Sequence, residues 1–254
     1  MRRLTAASIA RRKNGKPFAV MTAYDAPFAR CVEEAGVDII LVGDSLGMVV
    51  LGFDSTTPVR IEDMIHHTAA AARGARKAHI IADLPFGSYQ ASDADAIRSA
   101  MRLVQEGRAA SVKLEGGVAA APRIRAIVDA GIPVMGHIGL LPQTAGLGPG
   151  YTVRGDAEAL RADAYAVQNA GAYGLVLEVV KADIAATITA DLSIPTIGIG
   201  SGPDCDGQVL VLHDLLGLFP DAPSFVKRYA DLNTTVVDAV RKYAQEVREK
   251  TFPI

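Results

Sequence analysis

Short apolar runs alternate with longer amphipathic stretches along most of the 254 residues. Phe18–Thr22 reads as a first strand, followed by a helix over Ala26–Glu34 with Asp25 at its N-cap. The same pair recurs down the chain. Strands are predicted over Val37–Val42, His79–Ala82, Ser111–Leu114, Pro133–His137, Gly174–Leu177 and Pro195–Ile199. Helices are predicted over Ile61–Arg73, Asp93–Gln105, Arg123–Ala130, Glu158–Asn169 and Ala182–Asp191. The second strand, Val37–Val42, is dense in Ile, Leu and Val, as a strand buried on both faces is. Gly36, Gly107, Gly131 and Gly171 each end a helix and turn the chain back toward a strand. Seven such units without a break in composition predict one parallel (β/α)₈ barrel over 1–254, with an N-terminal extension and a C-terminal helix. The eighth strand has two candidates. Val209–Leu212 reads as a strand or the start of a short helix, and Phe225-Val226-Lys227 as the alternative. Asn233–Lys250 reads as a long helix with charge on one face. The segments Gly43–Val59 and Leu140–Gly155 are long and glycine-rich, and after a barrel strand they fall on the C-terminal face, where active sites are built.

Composition narrows the picture. A chain that is 50% hydrophobic and 21% charged has enough apolar material for one large core, and about 250 residues is an ordinary length for such a barrel. The net charge of −2, with both signs interspersed, points to neither nucleic acid nor a membrane surface. The one dense basic cluster, Arg2-Arg3 with Arg11-Arg12-Lys13, is short. Cys31 and Cys205 are not at a metal-ligand spacing and read as a reduced pair. The N-terminus lacks an apolar leader, and no apolar run reaches spanning length. The expectation is a soluble, cytoplasmic protein.

The candidate chemistry lies where polar residues interrupt apolar runs. Asp44 and Asp83 follow the second and third strands. Lys113 and Glu115 bracket Leu114 on the fourth, His137 ends the fifth and Glu178 follows the sixth. Any one of these has a plain reading as a cap or a structural ion pair. All six at the same end of consecutive strands do not, because clustered buried carboxylates require a cation. Asp44, Asp83 and Glu115 offer hard oxygen donors, which suit Mg²⁺ better than Zn²⁺. Lys113 and Glu115 are two apart and so share one side of their strand, expected to be the barrel mouth. His66 and His67 read as surface or packing residues, while His213 is ambiguous. Gly198-Ile199-Gly200-Ser201-Gly202 lacks the context of a phosphate-cradling loop.

Several segments closely resemble the ketopantoate hydroxymethyltransferase family. They are Met21–Asp25, Val42–Met48, Gly52–Thr56, Asp63–Ile65 with His67-Thr68, Asp83–Tyr89, Val112–Gly117, Gly136–Leu140 with Pro142-Gln143, and Gly198–Gly200 through Cys205–Val211. They run in the family's order over nearly the whole chain. The resemblance implies a (β/α)₈ barrel of the phosphoenolpyruvate/pyruvate superfamily. It implies transfer of a hydroxymethyl group from 5,10-methylenetetrahydrofolate to 3-methyl-2-oxobutanoate, through a Mg²⁺-stabilised enolate, in pantothenate biosynthesis. By matching motifs, Asp44 and Asp83 resemble the metal ligands, with Glu115 joining the shell. Ser45, Lys113 and His137 resemble contacts to the ketoacid, as do Asp44 and Asp83 through the metal. Glu178 resembles the proton acceptor. The resemblance further implies a cytoplasmic homo-oligomer, often a decamer, and glycine-rich loops near Gly47 and Gly146–Gly150 that admit the folate. The chain departs from the family pattern after Glu178, where Val179-Val180-Lys181 stands in place of Cys-Val-Pro and sets a new cation near the expected base. Two alternatives stay open. One is a related metal-enolate carbon–carbon lyase, although the cysteine those enzymes usually carry after the fifth strand is absent from Ile138–Pro142. The other is a divergent, non-catalytic paralogue.

Overall fold

The eight strands close into a parallel barrel in sequence order, β1 to β8. The computed structural model describes residues 3–147 and 152–253. In chain order the elements are α1 (Ala6–Ala10), β1 (Phe18–Thr22), α2 (Ala26–Glu34), β2 (Ile39–Val42), α3 (Leu46–Val49), α4 (Ile61–Gly74) and β3 (His79–Asp83). There follow α5 (Asp93–Gln105), β4 (Ser111–Glu115), α6 (Ala121–Asp129), β5 (Val134–Gly139), α7 (Pro142–Ala145), α8 (Ala157–Asn169) and β6 (Gly174–Glu178). The last are α9 (Ala182–Asp191), β7 (Thr196–Ile199), β8 (Gly207–Leu210), α10 (Leu212–Leu215) and α11 (Leu232–Arg248). Two compact units are distinguished, one up to Val209 and one from Leu210 onward.

The helix ends explain why the strand–helix rhythm was legible. At Gly36, Gly131 and Gly171 the backbone takes positive φ. The next residue's N–H then reaches back to the last helical turn, from Val37 to Val32 O, Ile132 to Ile127 O and Ala172 to Val167 O. This is the Schellman closure that an Ala-Gly pair favours. It uses Val37 as part of the cap, which is why β2 begins at Ile39 and not at Val37. Gly107 works differently. The left-handed residue is Arg108, at φ 63, and Gly107 is required by close packing, since a Cβ there would lie 2.6 Å from Leu103 O.

The barrel's interior alternates as a strand must. Near the floor the inward positions are apolar, with Val20, Ile39, Leu41, Ile81, Met135, Val176, Ile197 and Val209 packed in one cluster. Ile9 of α1 plugs this cluster and is fully buried. That short helix is absent from the sequence reading; at five residues it carries too little periodicity to show. A polar chain crosses the same floor. The Tyr173 hydroxyl lies 2.8 Å from Ser111 Oγ, which lies 2.8 Å from His79 Nε2. His79 Nδ1 donates to Leu4 O at 3.0 Å, so Nε2 is the acceptor for Ser111.

β8 corrects one expectation. The strand covers Gly207–Leu210 and Leu212–Leu215 is helical, so both readings of Val209–Leu212 apply to adjacent residues. Phe225–Lys227 is no strand: Val226 N–H donates to Pro223 O in a turn. In the second unit, the start of α11 is held to the end of α10 by bonds from Leu232 N–H to Leu216 O and Asn233 N–H to Gly217 O.

Candidate active site

At the C-terminal ends of the strands the inward positions change from apolar to ionisable. Along β3 Ile81 gives way to Asp83, along β5 Met135 to His137, and along β6 Val176 to Glu178. The register sets Asp83 beside Lys113 and Glu115 beside His137. Asp44 follows β2, and its N–H donates to Asp83 Oδ2 at 3.1 Å. The structure therefore brings Asp44, Asp83, Lys113, Glu115, His137 and Glu178 together, all buried except the half-buried Glu178. Ser45 joins them at the start of α3, its Oγ 2.9 Å from the Tyr24 hydroxyl.

The hydrogen bonds determine the protonation pattern. Lys113 Nζ lies 3.1 Å from Asp83 Oδ1 and 3.2 Å from His137 Nδ1. An ammonium only donates, so Nδ1 is the bare nitrogen and the imidazole carries its proton on Nε2. Glu178 Oε2 is 3.1 Å from that nitrogen, close enough for charge attraction, but no hydrogen bond is formed and Nε2–H is left without a partner. Glu115 Oε1 lies 3.5 Å from Nδ1 and, with that nitrogen unprotonated, accepts nothing from it. Burial and the Lys113 charge both push the His137 pKa down, which keeps the ring neutral. Burial also works against the Lys113 ammonium, but Asp83, Glu115 and Asp44 outweigh it and raise its pKa. Burial and the Asp83 charge push Asp44 up to about 7, and burial with the Asp44 charge pushes Glu115 well above the usual carboxylate range. Four carboxylates thus share one ammonium, an anionic excess that favours protonation or a cation.

Gln143, on α7, is a site residue to which the sequence reading gave no role. Its Nε2 donates to Asp44 Oδ2 at 2.8 Å and to Leu84 O at 2.9 Å, while Oε1 accepts from the Tyr89 hydroxyl at 2.7 Å. Its backbone N–H donates to Glu115 Oε2 at 3.2 Å. One buried residue from the loop after β5 therefore ties two carboxylates together, Asp44 after β2 through its side chain and Glu115 at the end of β4 through its backbone. The signal in the sequence was slight: a neutral glutamine next to a proline in a long loop.

Glu178 is placed by its backbone. Leu140 N–H donates to Glu178 O at 2.7 Å, and a Cβ on Gly139 would lie 2.3 Å from that same oxygen. Directly after it, Val179 takes φ 51, a left-handed conformation that a β-branched residue rarely adopts. Lys181 does not pair with Glu178. It is exposed, and its side chain runs past Gly155, where a Cβ would lie 2.8 Å from Lys181 Cε. The glycine-rich segment after β7 is structural: Ser201 Oγ donates to Leu177 O at 2.7 Å and accepts from Val180 N–H at 3.0 Å. His67 holds the Tyr24 carbonyl through Nδ1 at 2.8 Å, a packing role. Gly47 is buried, where a Cβ would lie 2.4 Å from the Val59 side chain. Most of the expected folate entrance at Gly146–Gly150 lies outside the described residues.

No helix among the described residues is long and apolar enough to cross a membrane. Among solved structures, a phosphoenolpyruvate phosphomutase from Streptomyces platensis superposes with a TM-score of 0.67 at 13% identity, over 97% of this chain and 88% of that one. A 2,3-dimethylmalate lyase, a PEP mutase/isocitrate lyase superfamily member, gives 0.63 at 19%, over 98% and 90%. At such identities the likeness is one of fold. Sequence relatives go further. A 3-methyl-2-oxobutanoate hydroxymethyltransferase of Ignicoccus hospitalis is 53% identical over 100% of this chain and 98% of its own length. One of Moorella thermoacetica is 56% identical over 96% and 93%. The family profile described as ketopantoate hydroxymethyltransferase matches residues 3–254. Matched from end to end at more than half identity, the chain belongs to the ketopantoate hydroxymethyltransferase family.

Proposed function

We propose that this enzyme transfers the one-carbon unit of 5,10-methylenetetrahydrofolate to C3 of 3-methyl-2-oxobutanoate, giving 2-dehydropantoate and tetrahydrofolate with Mg²⁺ as cofactor. The observation that carries the reading is the cluster of Lys113, His137 and Glu178 beside the Asp44 and Asp83 carboxylates. In this reading Glu178 takes the C3 proton. The unpartnered His137 Nε2–H is free to donate to the ketoacid, and the Lys113 ammonium faces the negative charge that develops on the substrate. The carbanion carbon then bonds to the folate's methylene carbon as its bonds to N5 and N10 break; water supplies the hydroxyl group, and the C3 proton and the second water proton end on the two nitrogens. Tyr24 orients Ser45 toward the ketoacid.

The donor set fits Mg²⁺. Asp44 and Asp83 are adjacent, buried, hard oxygen donors in a site with excess negative charge and would hold the ion, with Glu115 joining the shell. Among the described residues no three His, Cys, Asp or Glu side chains converge on one point, so Asp44 and Asp83 would hold the ion with water and substrate completing its shell. When bound, Mg²⁺ supplies Lewis-acid stabilisation of the charge developing on the ketoacid. The exposed Met48, Val50, Leu51 and Phe53, in the segment after β2, offer an apolar platform for the folate. The stripe Val236, Val240, Tyr243 and Val247 on α11 is exposed and supports a homo-oligomer, for which the family resemblance favours a decamer. A cytoplasmic setting fits the unpaired Cys31 and Cys205.

The test is exchange of the C3 proton of 3-methyl-2-oxobutanoate in D₂O by NMR, for wild type and Glu178→Gln. Exchange that needs Mg²⁺ and is lost in Glu178→Gln is expected. Exchange that survives Glu178→Gln would move the base elsewhere. No exchange in wild type, even with tetrahydrofolate, would overturn the reading.

A further inference from the structure

At the floor of the barrel lies a feature the transferase reaction does not use. An open basin of about 630 Å³ is lined by Arg3, Ala72, Arg73, Arg76 and Arg108. Its elements meet at the N-terminal ends of the strands. Leu4 N–H donates to Lys77 O, Arg73 and Arg76 stand at the end of α4, and Arg108 lies in the turn before β4. The active-site residues of β3 and β4 are at the opposite ends of those strands. A five-residue strand spans about 16 Å, so the two sites are distinct.

Helix capping accounts for one of the four guanidinium groups. Arg3 Nη2 donates to Ala75 O at 2.9 Å, with Ala72 O at 3.4 Å, and so closes the end of α4. It accounts for none of the others. Among the described residues, no carboxylate lies within 4 Å of the guanidinium of Arg73, Arg76 or Arg108. Glu33, whose charge reaches Arg3, is occupied: its Oε1 accepts from Lys77 N–H at 2.6 Å and Ala78 N–H at 2.8 Å. Arg108 is held at φ 63 by the bonds from Gly107 N–H to Arg102 O and Ala109 N–H to Leu103 O. Four cations facing a concavity repel one another. Burial and then the Arg108 charge draw the Arg3 guanidinium below its usual pKa, against the opposing charge of Glu33.

We propose that this basin binds a small polyphosphate anion of the diphosphate class. Several guanidinium groups call for a ligand with more than one negative charge. Their planar forks match the paired oxygens of a phosphate, and a volume of this size holds a diphosphate with an organic group attached. The basin is a concavity in a chain of net charge −2, not a basic stripe, so a small anion fits it better than nucleic acid.

The experiment is metal-free calorimetric titration of the full chain at low salt, in EDTA, with inorganic pyrophosphate, orthophosphate and a short DNA duplex. Pyrophosphate is expected to bind at least tenfold more tightly than orthophosphate, and Arg73→Ala/Arg108→Ala to weaken it at least tenfold. Should that variant fail to fold, Arg73→Lys/Arg108→Lys keeps the charge without the fork and is expected to weaken binding at least threefold. Unchanged pyrophosphate affinity in whichever variant folds, no binding by wild type at millimolar pyrophosphate, or tighter binding of the duplex would each overturn the proposal.

Discussion

Replacing Gln143 by alanine should loosen the active site from within, and the structure sets the size of the effect. The side chain makes three buried bonds, to the Asp44 carboxylate, the Leu84 carbonyl and the Tyr89 hydroxyl. A bond to a charged acceptor contributes about 1.5–3 kcal/mol and a neutral one about 1 kcal/mol. The loss is therefore about 4 kcal/mol if the partners stay dry and about 2 kcal/mol if water enters the space. For a chain of this length that lowers Tm by roughly 5–15 °C. Gln143→Glu should be worse than Gln143→Met, because it turns a donor into an acceptor facing Asp44 while still accepting from Tyr89. Gln143→Ala also removes a bond that favours the Asp44 carboxylate, so the pKa of that group, already about 7, should rise further. The assay is thermal unfolding of all three variants by circular dichroism, with the Asp44 titration followed by NMR. A Gln143→Ala protein within about 1 °C of wild type, or Gln143→Glu as stable as Gln143→Met, would refute the argument that this residue joins the two carboxylate-bearing loops.

Three further outcomes follow from the geometry. Lys113→Met removes the one ammonium among Asp44, Asp83 and Glu115 and should destabilise the metal-free protein by about 3–5 kcal/mol at pH 7.5. A carboxyl whose folded pKa is raised contributes stability below its unfolded value and loses it as pH rises through the folded one, here about 7 for Asp44. Without Lys113 that loss grows, so urea titrations at pH 5 should show a smaller defect than at pH 7.5, and an equal defect would contradict the assignment. His79, pushed down to about 4 mainly by burial, works with the opposite sign: its stability is complete above 6.5 and is lost as pH falls toward 4. The advantage of wild type over His79→Asn should therefore shrink by about 3 kcal/mol between pH 7.5 and 4, and a constant difference would exclude a neutral, buried imidazole. Val179→Asn relieves the left-handed strain at φ 51 and should raise stability by about 0.5–1 kcal/mol. A loss of more than 1 kcal/mol in thermal unfolding would show that the packing of the valine outweighs its strain.

The sequence carried the barrel because its units are local. Ile39–Val42 is apolar over its whole length and Ile80–Ala82 over the middle of β3, and Ala-Gly at Gly36, Gly131 and Gly171 closes each helix through bonds within one turn. It also carried the ionisable set, because a charge at the end of an apolar strand stands out: Asp83, His137 and Glu178 were visible before any coordinates. What the tertiary structure alone decided depends on residues distant in the chain. Gln143 and Asp44 are 99 positions apart, and Lys113 and His137 are 24 apart, so no periodicity links them. The tautomer of His137 follows from which cation faces Nδ1, and β8 could be separated from Phe225–Lys227 only by which segment closes the barrel. The floor basin is the same case, since Arg3, Arg76 and Arg108 become neighbours only when the N-terminal segment and two helix ends meet. Backbone closure is a short-range property of side-chain type, whereas polar contacts across a barrel depend on register and closure, which a single strand does not encode.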